Sequence, residues 1–236
     1  MGDRRPPYKV SGAYHAQVAQ HATWADADGW RIAETFGAPN DEAARIFGGV
    51  GLQDVSPVGK LDLKGTAVDG RLADCERLDG VGAVLRIKPG HALVVTERRD
   101  DRVREAVRGL YAPSQGCAHI TDVTSAFAAF MLVGPRAPDV LASVTSIDLR
   151  PQRFGDGSAA PCTVAHVQGV LYRRDWGELR AYLVLVGRDA AEYVWTTMHH
   201  AGEHFGLIPF GVAAQRIIWE SQAAVALRAP VSVTAG

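Results

Sequence analysis

The sequence predicts an α+β protein built from two β-α-β-β-α halves, ferredoxin-like in order, packed as one body with antiparallel sheets backed by helices. Three observations predict it. Short alternating apolar segments recur at strand length, and between them lie segments with apolar residues at helical spacing. The order of these segments repeats once along the chain. The connection between the two repeats, residues 111–123, is too short for freely moving domains. A length of 236 residues with 47% hydrophobic and 22% charged residues suits such a body.

The elements follow in order. Residues 1–10 are polar and proline-bearing, and read as an arm. Ser11 is positioned to cap a helix over 11–21. A strand follows over 31–36. Asp41 can cap a helix over 42–47, and Gly48-Gly-Val-Gly51 ends it. That glycine cluster is a poor phosphate loop, because no Lys-Ser/Thr follows and no strand precedes it. A turn-rich Asp54-Val-Ser56-Pro stretch then feeds the alternating strand Lys60–Lys64, which stops at Gly65. A helix is expected over 66–74, then strands over 83–88 and 92–96 joined by Pro89-Gly90, a hairpin turn signal. A helix rich in both charges over 98–110 closes the first half.

The second half opens with a strand over 129–133, stopped by Gly134-Pro135. Pro135 is expected to open a helix reaching residue 144, since proline is tolerated in a first turn. Strands are expected over 163–172 and 179–186, and a helix over 189–204. The proline- and glycine-rich run 151–161 is the clearest long loop. The boundaries are thus 1–115 and 116–236, together one domain.

Bulk properties exclude several functions. A net charge of −1 argues against nucleic acid or an anionic membrane as the main partner. The longest apolar run, 126–133, is too short to span a bilayer, and the N-terminus lacks the apolar core of a signal peptide. Three scattered cysteines, Cys75, Cys117 and Cys162, have no metal-ligand spacing and fit a cytoplasmic protein.

The stretch Gly51-Leu-Gln-Asp54-Val-Ser56-Pro-Val-Gly-Lys60 resembles the Gly-Leu-(Phe)-Asp-(Val/Leu)-Ser-x-x-Gly-Lys segment of the glycine-cleavage T-protein (aminomethyltransferase) superfamily. Four further segments are similar in the right order. These are Tyr14-His15 with Ala22-Thr-Trp24 and Gly29-Trp30; Phe130-Met-Leu-Val-Gly134-Pro-Arg-Ala137; Asp189 to Trp195; and Ala201-Gly-Glu-His-Phe-Gly-Leu-Ile-Pro209 with Phe210-Gly-Val-Ala-Ala214. The resemblance implies a folate-binding-type domain without the family's C-terminal β-rich domain. That truncation is typical of sarcosine oxidase gamma-type members.

The resemblance also locates the family's polar anchors and finds them changed. The strand matching the family's carboxylate, 80–87, carries no acid; Asp79 lies just outside it. The family's asparagine after a Leu-Val-Val strand is Thr96. The glutamate that holds the pterin ring sits in a Gly-Phe-Glu-Leu strand, matched here by Ala181-Tyr-Leu183-Val. The terminal Ala-Arg-Asp becomes Ala214-Gln215-Arg216. A carboxylate can take two pterin N–H bonds, each worth about 1.5–3 kcal/mol, and a leucine can take none.

Ligand-binding candidates are therefore Asp54, Thr96, Tyr182, Gln215, Arg216 and Trp219, and no catalytic residue is assigned. Each has a structural alternative. Asp54 with Ser56 can form an Asx-type turn. Tyr182, Trp219 and Tyr172 can stack on a flat ring or pack a core. Arg173-Arg174-Asp175 can bind an anion or form a solvated hairpin turn. His199, His200 and His204 lack the glutamate of a zincin motif, so no metal is expected. No Gly-x-Gly-x-x-Gly lies at a strand–helix junction, so no flavin is expected on this chain.

The resemblance implies a one-carbon metabolism protein, a helper subunit of a sarcosine-type N-methyl-amine oxidase with a degenerate folate site. Its partners would be flavin-dependent amine oxidase subunits or further copies of itself. The alternative is a stand-alone tetrahydrofolate-dependent transferase or demethylase using replacement pocket residues, with tetrahydrofolate as cofactor.

Overall fold

The computed structural model describes residues 9–68, 75–78, 82–96 and 119–228. The expected helix over 98–110, most of the 111–123 connection, Asp79, Cys117 and residues 1–8 lie outside them. The chain is α+β, with sheets antiparallel except for one pairing.

Helix α1 (Tyr14–Ala19) starts later than the Ser11 cap predicts, and it has no side-chain cap. Ser11 Oγ instead accepts from the N–H of Ala13, the residue just before the helix. A hairpin follows, β1 (Thr23–Ala27) and β2 (Trp30–Thr35), closed by Asp28 and Gly29, both at positive φ. Helix α2 (Pro39–Gly48) begins at its proline, so Asp41 lies in the first turn and does not cap it. Glu42 does the larger work there. Its buried carboxylate accepts from the N–H groups of Phe36, Gly37 and Gly211 and from the Thr35 hydroxyl. This ties the end of β2, α2 and a later helix together.

The central layer is a six-stranded sheet in the order β10-β11-β12-β9-β3-β13. Its members are β3 (Val50–Asp54), β9 (Phe127–Val133), β10 (Ala159–Val164), β11 (Val167–Arg173), β12 (Ala181–Gly187) and β13 (Leu207–Pro209). One face, with Leu52, Phe130, Leu132, Tyr182 and Val184, packs on α1, α3 (Ala137–Ala142) and α4 (Ala191–Gly202) through Val140, Leu141, Val194, Trp195 and Met198. The other face packs on a second sheet, in the order β5-β6-β7-β4-β8. That sheet comprises β4 (Lys60–Lys64), β5 (Cys75–Leu78), β6 (Gly82–Lys88), β7 (His91–Thr96) and β8 (His119–Asp122). The last helix, α5 (Val212–Arg228), lies against α2 through Ala43, Ile46, Ala214 and Ile218.

Several sequence expectations change. The segment before Lys60 contains β3, a buried strand, and not only turns. The expected strand over 163–172 is two strands joined by Ala165 and His166, both at positive φ. Pro135 precedes α3, and Pro138 occupies its first turn. In the expected helix over 66–74, only the single 3₁₀ turn Thr66–Val68 lies within the described residues.

The two sheets repeat one another. The order β5-β6-β7-β4-β8 corresponds strand by strand to β10-β11-β12-β9-β3. Asp122 pairs with Leu61 as Asp54 pairs with Phe130. Gly82 faces Thr96 as Gly169 faces Val186. The Asp-Val-Ser/Thr turns repeat too. Asp54 Oδ1 accepts from Ser56 N–H and Asp122 Oδ1 from Thr124 N–H, each at 2.9 Å. Ser56 Oγ then accepts from Ala129 N–H (3.1 Å), and Thr124 Oγ1 from Lys60 N–H (3.0 Å). The strand preceding each set therefore joins the other sheet, and the two crossovers lock the layers. Between them the wholly buried Lys60 ammonium donates to the carbonyls of Ser56 (2.7 Å), Val58 (3.1 Å) and Thr124 (3.4 Å).

Candidate functional site

The two sheets do not fill the space between them. A cavity of about 490 Å³ opens where β6 and β7 diverge from β11 and β12, closed on one side by α5. Its apolar walls are Val55, Val58, Ala83, Val95, Met131 and Leu183. They continue the intersheet core of Leu85, Leu93, Val170 and Leu185. A volume of this size suits a small-molecule ligand.

The polar groups come from three places. Thr96 ends β7; it is 5% exposed, and its Oγ1, shielded from solvent, has no hydrogen-bond partner among the described residues. Its side chain fills the position a Cβ on Gly59 would need, so the glycine of the Val58-Gly-Lys60 turn makes room for it. Gln215, Trp219 and Gln222 come from one face of α5 at helical spacing. Gln215 Oε1 accepts from Nε2 of the buried Gln53 at 3.0 Å, and Gln222 Oε1 accepts from Glu178 N–H at 2.9 Å. The hairpin between β11 and β12 supplies Arg174, Asp175, Trp176 and Gly177.

Aromatic rings line the mouth. Trp176 packs edge-to-face on Phe210 at 6.4 Å and on Trp219 at 5.4 Å. Trp219 itself is half exposed. A second cavity of about 300 Å³, lined by Cys75, Asp156 and Gly157, shares Tyr172 and Arg174 with the first. Burial, with the Asp156 carboxylate nearby, pushes the Cys75 thiol up to about 11, which disfavours its thiolate at neutral pH.

Asp175 is the one carboxylate among the described residues lining the larger cavity, and it is engaged. Its Oδ1 accepts from Arg173 Nε (3.0 Å) and Ala181 N–H (3.1 Å), and its Oδ2 from Arg173 Nη2 (2.7 Å). The pair is largely buried, and the Asp175 hydrogen bond holds the Arg173 pKa above its ordinary value. The Arg173 guanidinium also donates to Phe154 O at 2.8 Å. Arg173-Arg174-Asp175 thus holds a structural ion pair, Arg173 with Asp175, and places two residues, Arg174 and Asp175, on the cavity lining.

Of the six sequence candidates, three meet at the cavity: Thr96, Gln215 and Trp219. Asp54 does not line it. Its Oδ2 accepts from Gln17 Nε2 at 2.6 Å and its Oδ1 makes the Asx turn, a structural role. Tyr182 faces the helix layer, because Leu183 beside it takes the cavity side of β12. The Tyr182 hydroxyl is buried, which raises its pKa. Arg216 points away, 67% exposed, with Nη1 3.6 Å from Glu34 Oε1. Gln222 was legible as the residue continuing the spacing 215, 219, 222; Trp176 carried no such signal.

A pterin ring fits this cavity in its faces and not in its edge. The tryptophans offer stacking surfaces. Leu183 stands on the wall where the resemblance expects the ring-holding glutamate, and no free carboxylate replaces it among the described lining residues. Two adjacent ring donors buried there would lack a charged acceptor.

Among the described residues there is no cluster able to hold a metal ion, and no helix is long and apolar enough to cross a membrane.

Comparisons with known proteins agree with the geometry. Aminomethyltransferase of Streptomyces coelicolor is 26% identical over 219 residues, covering 82% of this chain and 57% of that protein. Aminomethyltransferase of Streptomyces avermitilis is 25% identical over 238 residues, covering 91% and 62%. The chain therefore spans about three fifths of these relatives. Two solved structures share the fold. Glycine cleavage system aminomethyltransferase T from Bartonella henselae superposes with a TM-score of 0.71 at 14% identity, over 89% of this chain and 62% of that one. A chain of heterotetrameric sarcosine oxidase from Corynebacterium sp. U-96, in complex with pyrrole 2-carboxylate, gives 0.57 at 20% identity, over 71% of this chain and 92% of that one. The family described as the GCVT N-terminal domain matches residues 79–220, more than half of the sequence, and the chain belongs to that family within the glycine-cleavage T-protein superfamily.

Proposed function

We propose that this chain is a non-catalytic, aminomethyltransferase-like subunit that serves an N-methyl-amine oxidase assembly of the sarcosine type, and that its cavity is a folate-type site stripped of its charged anchor. The observation that carries this reading is Leu183 on the cavity wall, with Asp175, the one acid among the described lining residues, paired with Arg173. A one-carbon transfer needs a group that moves or stabilises a proton at the amine, and the described cavity walls supply none in a free state. The match to nearly all of one chain of a heterotetrameric oxidase supports a subunit role. In the same reading the repeated strand order marks two ferredoxin-like halves, divided near residue 115, forming one domain.

The test is to purify the tagged chain from its native host and from a heterologous one. The native preparation is expected to carry flavin absorbance and N-methyl-amine oxidase activity in constant ratio to the chain, and the heterologous one neither. Turnover of tetrahydrofolate by the heterologous chain alone would defeat the proposal. It would favour the second reading, a stand-alone tetrahydrofolate-dependent transferase, which the convergence of Thr96, Gln215 and Trp219 supports.

A further inference from the structure

We infer that the larger cavity takes a compact apolar monoanion, a hydrophobic carboxylic acid whose carboxylate meets Arg174 and whose hydrocarbon body fills the space between the sheets. This rests on the reading of the cavity as a ligand site that no longer serves a pterin, and it names the ligand class.

The strand register sets Arg174 there. Side chains alternate between the two faces along β11 and into the hairpin that follows. Val170 and Tyr172 belong to the intersheet core, and Arg174 continues their face. Arg173, between them, turns to the other layer, with its guanidinium 5.6 Å from the centre of the Tyr182 ring. Tyr172 and Arg174 line both cavities, so Arg174 stands where the two meet. Arg174 is also engaged within the protein. A guanidinium carries five N–H donors in a planar fork, so a protein contact and a ligand carboxylate can share it.

Charge and polarity then select the ligand. Arg174 and Asp175 are the charged residues among the described lining of the larger cavity, and Arg173 balances Asp175 through two hydrogen bonds. A cationic ligand would therefore face Arg174 between low-dielectric walls. A polyanion is opposed too, because Asp156 shares the smaller cavity with Arg174 and would repel a second negative charge. A single carboxylate matches the planar guanidinium fork. The walls of Val58, Val95, Met131 and Leu183 offer no side-chain hydrogen bonds and reward an apolar body by burial.

The test uses two probes with the same bicyclic hydrocarbon ring that differ in the charge of one group, naphthalene-2-carboxylate and its neutral amide. Both are titrated calorimetrically into the full chain at neutral pH, where the acid is ionised. The carboxylate is expected to bind at least about tenfold tighter, the advantage of a charge-assisted bond over a neutral one. Arg174→Gln is expected to remove that preference and to keep the amide's affinity within about twofold, a split that damage to the fold would not produce. Thermal unfolding verifies that the variant is folded. A measurement on the wild type stands beside it: raising NaCl from about 20 mM to about 0.5 M should weaken the carboxylate at least about threefold and leave the amide nearly unchanged. Equal affinities for the two probes, a preference that survives in Arg174→Gln, or a carboxylate affinity indifferent to salt would overturn the inference and leave the ligand-site reading standing. No heat from either probe at millimolar concentration would overturn both, while the subunit role is read separately from co-purification.

Discussion

The paired crossovers make a quantitative prediction about Ser56 and Thr124. Ser56→Ala removes the acceptor of the Ala129 N–H, and Thr124→Val removes that of the Lys60 N–H. Ala129 and Lys60 are both fully buried. Neither replacement changes side-chain size much, so the main cost is one buried donor left unpaired, about 1–3 kcal/mol each. For a chain of this size each kilocalorie lowers Tm by about 2–4 °C. The two turns repeat the same geometry, so the two costs should agree within about 1 kcal/mol. Both also border the Lys60 ammonium through their own carbonyls, so the double variant should depart from additivity. Urea unfolding with a constant m-value is the assay. Ser125→Ala, at an exposed hydroxyl near Lys9 Nζ, serves as a control and should stay within about 0.5 kcal/mol. A loss below about 0.5 kcal/mol for either buried site would refute the assignment of these hydroxyls as strand-crossover locks.

Other outcomes follow from local geometry and charge. Gly82 has φ +142° and a Cβ there would run into Val95 O, so Gly82→Ala should cost more than about 3 kcal/mol; Gly157→Ala, at φ +81° in open space, should cost only about 1. Equal costs in urea titrations would contradict this. Burial, opposed by the nearby Glu203 carboxylate and aided by His200, lowers the His199 pKa below 6.5 in the fold. The folded state thus favours neutral His199. Its contribution to stability is complete above about pH 6.5 and is lost as pH falls through the lower folded value. His199→Gln should flatten that acid-side decline, and an unchanged pH profile would dismiss the effect. Cys75, with its thiol pushed up to about 11, should be alkylated by iodoacetamide at pH 8 at least about tenfold more slowly than an exposed thiol. Peptide-resolved mass spectrometry showing free-thiol rates would contradict that.

The parts of the fold legible in the sequence are those with local signals. Strand β7 and its turn were readable because Ala92-Leu-Val-Val-Thr96 is strand-rich and Pro89-Gly90 marks the bend, with Gly90 at φ +68°. Strand β3 was not, because Val50-Gly-Leu-Gln-Asp54 is a buried run flanked by glycines and is set by pairing with distant β9 and β13. The β10–β11 turn was hidden because Ala165 and His166 adopt positive φ without glycine or asparagine. Glu42 shows the same limit, since its partners at Phe36, Gly37 and Gly211 come together only in three dimensions. At the site, the family resemblance led to Thr96 and Gln215. It also suggested Asp54 and Arg216, which stand away from the cavity, Asp54 accepting from Gln17 and Arg216 3.6 Å from Glu34 on the surface. Tyr182 was one residue out of phase with the cavity face of its strand, where alternate residues face opposite layers.

The central claim is that the cavity has lost the charged acceptor a pterin edge requires. The most direct measurement is calorimetric titration of the chain with 5-formyltetrahydrofolate, on the wild type and on Leu183→Glu. The account predicts no saturable heat from the wild type. It predicts a gain of at least about tenfold in affinity from the carboxylate, whose charge-assisted bonds are worth about 1.5–3 kcal/mol each. Wild-type binding at about micromolar strength, abolished by Gln215→Ala or Thr96→Ala, would contradict it and reassign the chain to folate chemistry of its own.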